Sequence, residues 1–166
     1  MEKNKSEAYL DIETTSLLGT GGMITVIGVY TTDGIEEKFI QLVDEEITKD
    51  NLLRVLKSVE IIYTYNGTGF DLPFIKEYLG IELSDYSTHR DLMHNCWHNK
   101  LYGGLKKVEE ILGIERKSMG IDGKIAVELW ERYKLYGDNN ALKSLLEYNK
   151  EDVMNLKIIK DRLCTK

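Results

Sequence analysis

Four carboxylates and one phenol have the types and spacing to do chemistry together. They are Asp11 and Glu13 in YLDIETTSL, Asp71 in YNGTGFDLPF, and Tyr148 and Asp152 in EYNKED. If residues 8–13 form a strand, Asp11 and Glu13 share one face, roughly 7 Å apart, with Leu10 and Ile12 on the other. Like charges set side by side raise each other's pKa unless a cation relieves them. Carboxylate oxygens are hard ligands suited to Mg²⁺ or Mn²⁺. Two such ions about 4 Å apart activate a water on one side of a phosphodiester and stabilise the leaving oxygen on the other. Tyr148 lies four residues before Asp152, so a helix would put both on one face. Taken singly, Asp71 also reads as a helix-start carboxylate and Asp152 as a solvated surface charge. The same-face pair is harder to explain without a function.

The elements that must position these residues follow from periodicity and turn chemistry. Residues 8–13, 23–30 and 36–43 read as strands, the last two joined by an Asp-Gly hairpin at Asp33-Gly34. A helix with Leu52, Leu53 and Leu56 follows, capped by Thr48 or Asp50. Residues 59–66 read as a fourth strand, apolar on both faces as in a covered parallel sheet. The segment FDLPFIKEYLG is a helix ending at Gly80, with Pro73 tolerated in its first turn. A short strand is expected near 86–90, then helices over 104–113, 122–136 and 139–163. The last carries a core stripe of Leu142, Leu145, Leu146, Asn149, Val153, Leu156, Ile159 and Leu163. An antiparallel meander followed by alternating helices and strands implies an α/β fold with a mixed sheet flanked by helices.

The chain of 166 residues suits one domain with a sizeable core, and residues 1–166 are expected to form it. No apolar run reaches membrane-spanning length, and MEKNKSEAYL lacks a signal-peptide apolar segment. Cys96 and Cys164 lack metal-site spacing and read as reduced thiols of a cytoplasmic protein. A net charge of −6 argues against a broad electrostatic surface for nucleic acid. It leaves room for metal ions and a few lysines to hold phosphates.

The D-x-E, N-G-x-x-F-D-x-P-F and Y-x-x-x-D patterns resemble the three exonuclease motifs of the DEDD superfamily, whose members have a ribonuclease H-like fold. The tyrosine resembles the DEDDy branch; the histidine branch would put His where this chain has Glu147. The chain looks most like the YprB-type ribonuclease H-like domains, related to the proofreading exonucleases of family B polymerases. The resemblance spans residue 8 to about residue 158. It implies that Asp11, Glu13 and Asp152 bind one metal ion, that Asp11 bridges to a second, and that Asp71 holds that second ion. It implies that Tyr148 hydrogen-bonds the attacking water, and that Asn66 and Thr14 approach the terminal nucleotide with Leu17 as a wedge. Asn66 also reads as a plain turn residue before Gly67, and Tyr148 as an aromatic packed beside Leu145. The resembling sequences read DIETTG where this chain has Ser16, which questions the turn after the first strand.

The resulting expectation is a Mg²⁺- or Mn²⁺-dependent 3′–5′ exonuclease acting on single-stranded DNA or RNA ends, with nucleic acid as partner and no membrane. The alternatives are a catalytically idle nucleic-acid-binding module of the same fold and an internally cutting ribonuclease H-type enzyme. His89, His94 and His98 invite a zinc reading, which lacks a third ligand of matching pattern. Asp91 reads as a helix cap before a substrate-side residue. Lys106, Lys107, Arg116 and Lys117 read as a plain solvated helix face first, and as a stretch near the substrate backbone in this fold second.

Overall fold

The computed structural model describes residues 5–17 and 19–164, excluding the side chain of Cys164. The readings that rest on residues 1–4 and on the Cys164 thiol therefore lie outside it. Among the described residues, five strands form a sheet in the order β3-β2-β1-β4-β5. β1 (Glu7–Thr14), β2 (Ile24–Thr32) and β3 (Glu37–Val43) form the antiparallel meander. Asp33 Oδ1 shapes the β2–β3 turn by accepting from the amides of Ile35 and Glu36 at 2.9 and 2.8 Å. β4 (Ile61–Thr64) and β5 (Thr88–Asp91) add in parallel on the other side of β1. This is the mixed sheet that the element order predicts, in the ribonuclease H-like form that the resemblance implies.

The helices are α1 (Lys49–Val55), α2 (Asp71–Leu79), α3 (Leu92–His98), α4 (Leu105–Leu112), α5 (Gly123–Tyr136) and α6 (Asn139–Cys164). Thr48 caps α1 by accepting from the Asn51 amide at 3.2 Å, and Gly80 closes α2 in the left-handed conformation. β4 is shorter than the predicted 59–66. The chain turns up from Leu56 into Val59, and Asn66 adopts a φ of 60°, which no strand continues through. The fifth strand lies two residues later than the start predicted from sequence, and short 3₁₀ turns at Asp44–Glu46 and Leu83–Asp85 carry no clear sequence signal.

The alternation along β1 divides the core. Ala8, Leu10 and Ile12 face a cluster with Leu52, Ile62, Phe74 and Ile75, under α1 and α2. Tyr9 faces the other side, with Tyr30, Tyr63, Val153 and Leu156, under α6. By the two-residue period of a strand, Asp11 and Glu13 stand on the α6 side. Cys96 is buried, and burial pushes its thiol up to about 11.

Candidate active site and metal centre

β1 pairs with β4 only over Glu7–Tyr9, so its carboxyl-terminal half runs past the end of β4. That overhang carries both acids of D-x-E into the space beyond the parallel strand ends, where ligands sit in open α/β sheets. Asp71 starts α2 just after β4 and bends back, its Oδ1 accepting from the Ile12 amide at 3.2 Å. The acid from the second motif is thus tied to the backbone between the two acids of the first. Asp152 comes down from α6 on the same side. One ligand oxygen from each of Asp11, Glu13 and Asp152 lies within 4.8 Å of the others. A cleft of about 230 Å³ is lined by these three, by Asp71, Tyr148, Thr14 and Asn66, and by Tyr65 and Phe70.

Burial, and then the neighbouring acids, raise the carboxyl groups. Asp11 and Glu13 are held well above the ordinary carboxylate range, first by desolvation and next by the charge of Asp152. Desolvation pushes Asp71 up to about 7 and Asp152 up to about 6; the Arg116 guanidinium opposes the rise at Asp152. Three buried acids and the half-buried Asp11 are thus crowded at one point. The donor set is all oxygen and compact, which fits Mg²⁺ or Mn²⁺. Among the described residues this trio is the group of His, Cys, Asp and Glu able to hold an ion.

Tyr148 is buried in a cluster with Val26, Ala126, Trp130 and Leu145, and its ring also lines the cleft. Burial and the nearby acids push its phenol above the usual range, so it stays protonated at neutral pH. The Lys106 ammonium lies over the ring, 5.0 Å from its centre. Thr14 donates its hydroxyl to the Ser16 carbonyl at 2.8 Å. Leu17 is 74 % exposed on the following loop, outside the residues that line the cleft. Among the described residues of that loop the left-handed positions are Gly19 and Gly21, so Ser16 does not need to be glycine.

The histidines and Asp91 follow the sequence reading, and the basic stretch departs from it. His89 Nε2 bonds Thr64 Oγ1 at 2.8 Å, His98 Nδ1 sits 2.7 Å from the His94 carbonyl, and the His94 ring packs on Trp97. The histidines are thus engaged separately, and no zinc cluster forms among the described residues. Asp91 is the α3 cap, accepting from the Met93 amide at 3.1 Å. It is also buried beneath the turn that bears Asn66, accepting from the amides of Asn66 at 2.8 Å and Thr68 at 3.0 Å. The basic stretch is not one solvated face. Lys107 pairs with Glu110 at the surface, whereas Arg116 is buried against Glu109 and Asp152.

Two residues near the acids are not picked out by motif spacing. Asn149 donates from Nδ2 to the Asp11 carbonyl at 3.2 Å and to Asp11 Oδ2 at 3.0 Å. Its own Oδ1 accepts from Gln41 Nε2 on β3 at 3.0 Å. A polar residue in the apolar stripe of the last helix was the available signal, because buried amides need partners. Arg116 offered no such signal, standing 36 residues from Asp152.

Three comparisons bear on this arrangement. A DNA polymerase 1 from Aeropyrum pernix is 31% identical over a 146-residue alignment, which covers 75% of this chain and 15% of that protein. This chain therefore spans a small part of that relative. Brucella melitensis NrnC with bound Mg²⁺ superposes with a TM-score of 0.61 at 19% identity, covering 99% of this chain and 73% of that one. The zinc-bound form of the E. coli ExoI–ssDNA complex gives a TM-score of 0.50 at 15% identity, covering 92% of this chain and 45% of that one. Residues 8–164 match the profile of the RNase_H superfamily, so the chain belongs to that superfamily.

Proposed function

We propose that this chain is a metal-dependent 3′–5′ exonuclease of the DEDDy type, acting on single-stranded DNA or RNA ends as one catalytic domain. The observation that carries the reading is the meeting of Asp11, Glu13 and Asp152 within 4.8 Å, in a cleft shared with Asp71 and Tyr148. Asp11, Glu13 and Asp152 would hold one ion, and Asp11 with Asp71 a second. Bound Mg²⁺ or Mn²⁺ would supply charge neutralisation for an anionic phosphodiester and lower the pKa of a coordinated water. The Mg²⁺ in the Brucella protein and the single-stranded DNA in the E. coli complex support this choice of cofactor and partner.

The chain's own groups divide the remaining work. Tyr148, protonated, hydrogen-bonds the attacking water and orients it. Asn149 holds Asp11 by its side chain and its carbonyl together. Asn66, its amide held by Asp91, and Thr14 line the cleft and would meet the terminal nucleotide, with Leu17 on the exposed loop after β1 as the wedge.

The test uses single strands of DNA and of RNA in three forms: linear with a free 3′ end, linear with a blocked 3′ end, and circular. With Mn²⁺, the expected result is a ladder shortening from the free 3′ end, no cutting of circles, and loss of activity on chelation. Cut circles would establish internal cleavage, and release from the 5′ end would reverse the polarity. Binding without hydrolysis of any form would favour the idle module.

A further inference from the structure

Arg116 follows α4 in sequence, yet its side chain is only 8% exposed. Nη1 meets both carboxylate oxygens of Glu109 at 2.7 Å. Nη2 donates to Asp152 Oδ1 at 2.5 Å and reaches Ser118 Oγ at 3.4 Å. Nε is buried without a hydrogen bond, 3.8 Å from Glu151. Glu109 is itself buried and accepts from Asn155 Nδ2 at 2.9 Å. The segment after Arg116 is pinned as well: the Lys117 and Ser118 amides donate to Glu151 at 2.5 and 3.0 Å. The guanidinium is therefore fixed between one buried acid and an acid of the cleft, with anchors on α6 at Glu151, Asp152 and Asn155.

Burying a guanidinium between two acids contributes little to stability, since desolvation offsets most of the attraction. Its planar fork does supply orientation, which a flexible ammonium does not. With Oδ1 engaged, the Asp152 carboxylate cannot rotate freely, and its other oxygen remains for an ion. We propose that Arg116, gripped by Glu109, is a positioning residue that sets the Asp152 carboxylate for metal binding. The inference rests on the metal-dependent reading above.

The sign of the effect separates this role from its opposite. A cation this close to a ligand also repels a metal ion, so a mere competitor would tighten metal binding when removed. A positioning residue would weaken it, by about 10–100-fold for outer partners of metal ligands. The experiment titrates Mn²⁺ calorimetrically into the full chain and follows single-turnover cleavage beside thermal melting. Two variants are compared with the parent: Arg116→Lys, and the double Arg116→Gln/Glu109→Gln, which removes opposite buried charges together. Both are expected to bind Mn²⁺ about 10–100-fold more weakly, with cleavage falling in step. Parental affinity in both variants would make the cluster purely structural, and tighter binding would make Arg116 a competitor. Parental affinity in Arg116→Lys alone would show that charge suffices without the fork. Each of these three results overturns the inference. If the double variant melts below the assay temperature, Arg116→Lys carries the test, since it retains the buried charge. A parent that neither binds Mn²⁺ nor cleaves defeats the nuclease reading itself. A parent that does both while the variants match it defeats only the role of Arg116.

Discussion

The proposed function gives Tyr148 two jobs that one atom can separate. Its side chain packs among Val26, Trp130 and Leu145 and lines the cleft of acids. Tyr148→Phe keeps the packing and removes the hydroxyl. The variant is expected to melt near the parent and to bind Mn²⁺ normally, while single-turnover cleavage falls on the order of 10²-fold. Parental cleavage would reduce Tyr148 to a packing residue. Asn149 shows how a side chain beside the acids acts through another: the amide that Gln41 orients on one side grips Asp11 on the other. Such a chain of hydrogen bonds restrains the rotamer of the half-buried Asp11.

At the level of elements, the approach of α6 to the sheet decides whether the acids meet. β2 places Gly28 opposite Asp11 in register. A Cβ there would collide with Asn149 Oδ1 and lie 2.9 Å from Val153 Cγ2. The missing side chain lets α6 settle close enough for Asn149 to reach Asp11 and for Asp152 to join Glu13. Gly28→Ala is therefore expected to destabilise the fold by about 1–3 kcal/mol, as overpacking does. It should also lower cleavage further than the stability loss explains at a temperature where the protein stays folded. Melting and Mn²⁺ titration measured together check this, and unchanged Mn²⁺ affinity would show that α6 has room to spare.

For the whole molecule, the acid cluster couples pH, metal and stability. Asp71 near 7 and Asp152 near 6 lie above their unfolded values, so the folded, metal-free chain binds more protons than the unfolded chain between those limits. The contribution of these groups is fully present below about pH 4 and is lost as pH rises through about 6 to 7. Mn²⁺ held by these acids would reverse this by replacing the protons. The rise in Tm caused by Mn²⁺ is thus expected to be larger at about pH 8 than at about pH 5. Thermal melts with and without the ion at both pH values measure it, and equal rises would place ion binding away from these acids. No helix among the described residues is long and apolar enough to cross a membrane.

Apart from α3, which is not among the predicted elements, the order of strands and helices was legible because each depends on near neighbours: alternation along β1, Asp-Gly between β2 and β3, Thr48 and Gly80 at helix ends. The acids and the phenol were legible too, as three motifs of fixed local spacing. What local spacing does not contain is which distant groups meet. The burial of Arg116 depends on the loop after α4 folding onto α6, a contact across 36 residues. Asp91 supports the Asn66 turn across 25 residues, and the space that Gly28 leaves acquires meaning only once α6 packs there. Sequence determined the candidate residues and most of their strands and helices, since those follow from short-range backbone preference. Tertiary structure alone decided their partners, since burial and charge pairing are set by segments that meet only after the chain has folded.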